Sequence, residues 1–133
     1  MYPLHRSDTG SFQELAHASD VEFGQLSMLT IEPGCSRGGH YHTHKREWFC
    51  CIHGQCCLII RNSEGKLIIC ITLTDSERKF VEVLPKEVHT LRNTSDTECE
   101  LLIICNEKYD PKNPDTLKCE SVLKEIEGES IYA

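Results

Sequence analysis

The sequence contains no apolar run approaching the ~20 residues of a membrane-spanning helix, and Met1-Tyr2-Pro3-Leu4-His5-Arg6 lacks the apolar stretch of a secretory signal. A cytoplasmic protein without a membrane partner is the expectation. Basic charge is also scarce: 14 Lys and Arg stand against 21 Asp and Glu, for a formal charge of −7. That balance excludes whole-chain electrostatic binding to nucleic acid or to an acidic lipid surface. None of the nine cysteines falls in a C-x-x-C pair, which argues against a zinc ribbon or a thioredoxin-like redox site. Repeats, linkers and low-complexity segments are absent, so the 133 residues are expected to form a single domain, 1–133.

What is present reads as strands. Apolar and β-branched stretches occur at 24–32, 47–53, 55–61, 66–73, 80–84, 90–92 and 100–106, with turn residues between them. Short strands at such spacing predict an all-β sandwich or barrel. Only the tail at 115–126 has helical character, with Leu117, Val122, Leu123 and Ile126 as a partial apolar stripe. A two-residue turn at His53-Gly54 predicts a hairpin that sets Cys51 opposite Cys56 and Cys50 opposite Cys57. Most cysteines lie among apolar residues on these strands and are expected to be small buried hydrophobes. Trp48, Cys50, Cys57 and Ile59 face away from Glu47 in that hairpin, and a lone barrel would expose them, which predicts a homodimer.

The most chemically informative segment has the spacing G-x5-H-x-H-x4-E-x6-G, from Gly34 through His40, His42 and Glu47 to Gly54. His89 follows later, with Asn93 four residues on. Side chains i and i+2 share a face of a strand, so His40 and His42 project together, and a bend near Lys45-Arg46 can return Glu47 to them. With His89 from a later strand, three imidazoles and one carboxylate suit divalent zinc, iron, manganese, cobalt or nickel, with positions left open for water or substrate. A site that keeps its histidines hydrogen-bonded without metal is the plainer alternative. His44 belongs either to the mouth of the site or to solvent. His5, His17 and His53 read as surface residues.

These residues resemble the RmlC-like cupins, the double-stranded β-helix or jelly-roll barrels. The likeness extends to the C-terminal cupin domain of bifunctional capsular-polysaccharide enzymes that process UDP-linked 2-acetamido-2,6-dideoxyhexoses. It spans about residues 8 to 116 and is carried by the segments 8–15 (DTGSFQEL), 37–42 (RGGHYH), 84–93 (LPKEVHTLRN) and 110–116 (DPKNPDT). The resemblance implies a metal, commonly zinc, on His40, His42, Glu47 and His89. It implies nucleotide-sugar contacts for Arg37, and for Phe12 and Glu14 across a dimer, and Asn93 is placed with this substrate-binding set. Lys86 stands where the second cupin motif usually has glycine, and the reductase domain of the bifunctional enzymes does not accompany this cupin, so a separate reductase partner is possible.

The implied chemistry is epimerisation or isomerisation of a UDP- or dTDP-4-keto-6-deoxyhexose in surface-polysaccharide biosynthesis. A proton leaves the carbon beside a ketone and returns on the opposite face. Such a C–H is acidic only if the enolate oxygen is stabilised, and a positioned acid–base group must carry the proton. His44, Tyr41 and Lys45 are the candidates by proximity, although alternation sets Tyr41 on the face opposite His40 and His42. A different metal-dependent cupin enzyme (a dioxygenase, isomerase or lyase acting on a small acid) and a non-catalytic sugar-binding cupin are the alternatives, because one fold hosts many chemistries.

Overall fold

The computed structural model describes residues 1–125 and 131–132. In chain order the strands are β1 (Leu4–Ser7), β2 (Gly10–Gln13), β3 (Gln25–Ile31), β4 (Ser36–Tyr41), β5 (Glu47–His53) and β6 (Gln55–Arg61). They continue as β7 (Leu67–Thr74), β8 (Val81–Val83), β9 (Val88–Arg92), β10 (Cys99–Cys105) and β11 (Leu117–Lys118), then helix α1 (Glu120–Glu125) and β12 (Ile131–Tyr132). Strands β1 and β2 pair only with each other, joined at Ser7↔Gly10 by the turn Asp8-Thr9. The barrel is a four-stranded sheet, β3-β10-β5-β8, facing a six-stranded sheet in which β11-β4-β9-β6-β7 run in order and β12 pairs with β4. This is the cupin jelly roll. No helix among the described residues is long and apolar enough to cross a membrane.

Alternation fills the space between the sheets. Cys56, Leu58 and Ile60 of β6 point inward, as do Phe49 and Cys51 of β5 and Leu101 of β10, and all are buried in one cluster. A fully buried Leu or Phe contributes about 1.5–3 kcal/mol, so these few side chains account for much of the barrel's cohesion. Cysteine behaves here as a small apolar residue: Cys50, Cys51, Cys56, Cys99, Cys105 and Cys119 are buried and all nine thiols are free.

The expected hairpin at His53-Gly54 does not form. Strand β5 lies in the four-stranded sheet and β6 in the other, so His53-Gly54 is the corner at which the chain changes sheets. Gly54 has φ +78°, donates its amide to Asp75 Oδ2 at 3.0 Å and accepts from the Asp75 amide at 3.1 Å. Those bonds turn the chain toward the β7–β8 loop instead of back along β5. Cys50 and Cys57 therefore belong to different sheets. The reasoning behind the dimer changes too, because Trp48 and Cys50 are buried. A cavity on the outer face beside them is bounded by Ile52 and Leu102, by Leu4 and Gln13 of the N-terminal hairpin and by Arg78. The exposed apolar side chains on this sheet are instead Leu26 and Met28 of edge strand β3.

The tail also departs from expectation. Residues 117–118 pair with β4, Cys119 donates to Gly39 O at 2.9 Å, and only then does α1 begin. Leu117 is consequently exposed and does not join a helical stripe, while Val122 is buried. Ile126 lies outside the described residues.

Lys86 adopts φ +70° and is the only non-glycine with positive φ among the described residues. With Pro85 before it and the Glu87 amide donating to Leu84 O at 3.2 Å, the turn has type II form, whose third position favours glycine. The conformation is held because the Lys86 amide also donates to His42 O at 2.6 Å. Lys86→Gly relieves about 1–2 kcal/mol of left-handed strain and adds about 0.5–1 kcal/mol of unfolded-state entropy. Thermal denaturation should therefore show an unchanged or slightly raised Tm. A clear fall in Tm would contradict the strain.

Candidate metal centre

The site begins with an irregularity in β4. Gly38 pairs with Thr90 but His40 pairs with His89, so Gly39 is an extra residue in a bulge. Gly38 and Gly39 take φ of +115° and +75°. A bulge reverses which face the following residues occupy. Arg37 and His40, three positions apart, would point to opposite faces of a regular strand, yet here they line the same cavity. A Cβ on Gly38 would lie 2.5 Å from His89 O, so only glycine lets β4 and β9 approach at this point.

Beyond the bulge, regular alternation sends His42 inward beside His40. His89 enters from β9, and Glu47 from the first position of β5. The ring nitrogens of His40, His42 and His89 lie within 4.8 Å of one another. Glu47 Oε1 is 2.5 Å from His42 Nε2 and 3.4 Å from His89 Nε2. Glu47 Oε2 accepts from the Cys105 thiol at 3.4 Å. His42 Nδ1 donates to the Asp115 carbonyl, whereas His40 Nδ1 is buried with no hydrogen-bond partner.

Burial pushes His40 down to about 3, aided by the neighbouring His89 and His42, and burial also lowers His89. Burial acts against the charge on His42 as well, but the hydrogen bond and charge of Glu47 outweigh it and raise the pKa. Glu47 has burial against it too, yet the bond from His42 and the nearby imidazoles hold it at about 2. The cluster thus offers neutral imidazoles on His40 and His89 and an ionised Glu47, with His42 carrying a proton that metal binding would displace. Three imidazoles and one carboxylate form the kind of donor set that a divalent transition ion takes.

Two cavities flank the cluster and share His40, Glu47 and Ile103 as a common wall. The inner one, about 140 Å³, lies between the sheets and adds Arg37, Leu29 and Leu91. The outer one, about 390 Å³, adds Lys45, Tyr109, Gln25 and Thr116. Lys45 is buried, with its ammonium 5.6 Å from the Tyr109 ring centroid.

Several residues singled out in the sequence lie elsewhere. Tyr41 faces the opposite side of β4 and packs on Val88, Cys119 and Val122. His44 is exposed, paired with Glu107 at 2.9 Å and Asp115 at 3.1 Å, and lines neither cavity. Asn93 is a structural residue: its amide donates to Ile31 O and Thr97 O, and its carbonyl accepts from the Ser95 amide and hydroxyl. No substrate contact is left to it. Phe12 is exposed on the N-terminal hairpin, Glu14 pairs with His17 at 3.4 Å, and neither lines the two cavities beside the cluster. Cys105, Tyr109 and Asp115 are present at the site, and no local spacing announced them.

The Glu47–His42 pair sets a pH dependence. Glu47 ionises more readily in the folded chain than at its ordinary 4.5, so its stabilisation is complete above pH 4.5 and is lost as pH falls toward about 2. The raised pKa of His42 acts in the opposite sense: its stabilisation is present below 6.5 and lost as pH rises through its folded value. At ~1.4 kcal/mol per unit, the Glu47 share is on the order of 3 kcal/mol. His40 and His89 add to the acid loss, because they take up protons on unfolding as pH falls below 6.5. Urea denaturation of metal-free protein from pH 6 to pH 3 should show steep acid destabilisation, with the share lost below pH 4.5 reduced in Glu47→Gln. A loss below pH 4.5 that is equally steep in the variant would mean Glu47 is not its source.

Comparison with known proteins agrees with this architecture. The polysaccharide biosynthesis C-terminal domain family matches residues 5–117. The UDP-2-acetamido-2,6-beta-L-arabino-hexul-4-ose reductase of Pseudomonas aeruginosa is 33% identical over 117 residues, covering 88% of this chain but only 31% of its own length. The capsular polysaccharide assembling protein CapF of Staphylococcus aureus superposes with a TM-score of 0.69 at 27% identity, over 89% of this chain and 34% of that one. The dTDP-6-deoxy-D-glucose-3,5-epimerase RmlC of Legionella pneumophila, solved with dTDP-4-keto-L-rhamnose, superposes with a TM-score of 0.73 at 14% identity, over 88% and 69% of the two chains, a likeness of fold. The chain is an RmlC-like cupin and belongs to the polysaccharide biosynthesis C-terminal domain family.

Proposed function

We propose that this cupin moves a proton at the carbon beside the ketone of a nucleotide-linked 4-keto-6-deoxyhexose, inverting that centre, as a step in surface-polysaccharide synthesis. The observation that carries the reading is the convergence of His40, His42, His89 and Glu47 on the wall of a cavity that also holds Arg37. Its support from relatives is the reductase and the capsule-assembling protein, both named for this area of sugar chemistry. A divalent metal on the four ligands, zinc foremost, would supply Lewis-acid stabilisation for an enolate oxygen.

The chain's own residues take the remaining roles. Arg37 offers paired N–H donors to a substrate oxyanion. Lys45 is the member of the sequence trio that lines a cavity with the cluster, and it is assigned one of the two proton transfers that inversion requires. The apolar walls from Leu29, Leu91 and Ile103 exclude water beside the reacting carbon. The inner cavity, about 140 Å³, is small against the ~300–1,000 Å³ of ordinary ligand pockets, and only the sugar end of the substrate is assigned to it. The nucleotide therefore lies outside it. A reductase, on a separate chain or a further domain, would act on the epimerised ketone.

A homodimer belongs to the same proposal. Leu26 and Met28 leave an exposed apolar edge on the four-stranded sheet, and Phe12 on its hairpin is free to reach a neighbouring copy. Light scattering at micromolar concentration should give a dimer, and Met28→Lys should shift it toward monomer. A monomeric wild type would remove this part of the reading.

In deuterated water the protein should wash deuterium into the carbon next to the ketone of a UDP-4-keto-6-deoxyhexose. Elemental analysis of protein prepared without chelator should show a divalent metal, lost in a His40→Ala, His89→Ala double variant together with the exchange. Arg37→Ala should weaken substrate binding while keeping the metal. If no keto-sugar nucleotide exchanges and none raises the Tm, the epimerase reading fails and a small-acid cupin enzyme takes its place.

A further inference from the structure

Residues 115–119 run alongside the site-forming segment 39–45 for its whole length. Lys118 pairs with His40, Leu117 with Tyr41, and the Cys119 amide bonds Gly39 O. Where this pairing ends, Asp115 uses both of its ends on the site. Its backbone carbonyl accepts from His42 Nδ1. Its carboxylate accepts from the amides of Thr43 at 2.8 Å, His44 at 3.0 Å and Lys45 at 2.9 Å, and from the Thr43 hydroxyl at 2.5 Å. Three successive N–H groups converging on one anion form a nest, a concave arrangement that fixes the turn producing it.

That turn is the one separating His42 from Glu47. Its shape decides whether Glu47 returns to the imidazoles, and it also sets the backbone from which Lys45 reaches the outer cavity. The carbonyl contact decides which nitrogen of His42 faces the cluster: with Nδ1 donating to Asp115, Nε2 is presented to Glu47. Metal-ligating histidines depend on such outer partners for ring orientation, and loss of a partner typically lowers metal affinity about 10–100-fold.

We infer that Asp115 is the positioning residue of the metal centre, orienting His42 through its carbonyl and returning Glu47 and Lys45 through its carboxylate. Asp115 is not one of the four residues assigned to the metal and acts on the site through His42, Glu47 and Lys45. The inference rests on the metal reading proposed above, and the experiment separates the two.

Zinc affinity is measured by chelator competition, and cobalt(II) absorption reports ligand geometry, for wild type, Asp115→Asn, Thr43→Val and Leu73→Ala. Asp115→Asn has nearly the same shape but replaces one acceptor oxygen with an N–H donor facing N–H groups. Leu73→Ala is a core cavity distant in role from the site and controls for lost stability. The hydrogen-bonded His42 Nδ1 proton is followed by NMR in metal-free protein. Asp115→Asn should weaken zinc about 10–100-fold, shift the cobalt spectrum and lose the Nδ1 proton signal. Thr43→Val, lacking one bond of four, should show a smaller loss and serves if Asp115→Asn does not fold. Leu73→Ala should keep wild-type affinity despite its lower Tm. Wild-type zinc affinity in Asp115→Asn would overturn the inference, as would an equal affinity loss in Leu73→Ala. If wild type binds neither ion, the metal reading fails and the Nδ1 proton alone decides: its survival in Asp115→Asn, which keeps the backbone carbonyl, removes the carboxylate's part in orienting His42, and its loss shows that the turn held by the carboxylate carries that carbonyl to the ring.

Discussion

The site depends on a steric constraint at Gly38-Gly39. Strand β4 comes so close to β9 that a methyl group on Gly38 would overlap the His89 carbonyl, and both glycines adopt positive φ. The bulge that results shifts the strand by one residue, bringing Arg37 and His40 to one side. It also carries His42 to the same face and Tyr41 to the other. Without it, either the arginine or the histidine would leave the cavity. The arrangement costs two glycines' worth of backbone entropy, a sensible exchange only where side-chain direction matters more than strand strength.

Electrostatically the cluster is under-neutralised as a set of protein groups alone. One carboxylate faces three imidazoles within a buried volume, and burial makes each charge expensive. In the metal-free chain the balance is met by a single proton held between His42 and Glu47, with His40 and His89 kept neutral. A divalent ion held by the same four residues would take the place of that proton in the charge balance. The Cys105 thiol donates to the carboxylate oxygen that does not face His42, limiting its freedom to rotate.

Much of the fold was legible because alternation is a local signal. The strands at β5, β6 and β10 follow directly from their apolar periodicity, and the histidine spacing reported a shared strand face before any tertiary contact was considered. Strand β4 itself is hidden, since Ser36-Arg37-Gly38-Gly39 carries almost no apolar pattern. The sheet-switching corner at Gly54 has the same sequence signature as a hairpin turn, and only its bonds to Asp75, 21 residues away, distinguish the two. Asn93 lies in the second cupin motif, yet its side-chain bonds are all to its own loop and to Ile31. Asp115 is 73 residues from His42, so nothing near the histidines in sequence announces it. Position along the chain made Tyr41 and His44 attractive. Strand parity removes the first, and ion pairs at the rim hold the second.

The cysteines carry a different kind of consequence. Six of the nine thiols are buried, and burial pushes Cys50 up to about 11 and Cys51 and Cys105 to about 12. A folded molecule therefore presents few thiolates to an alkylating reagent, with Cys70 the exposed exception. Cys50, Cys51 and Cys56, away from the cavities of the site, become reactive when the strands bearing them separate from their neighbours. Because these thiols are spread over β5 and β6, their order of modification would give a time-resolved record of which of these strands opens first.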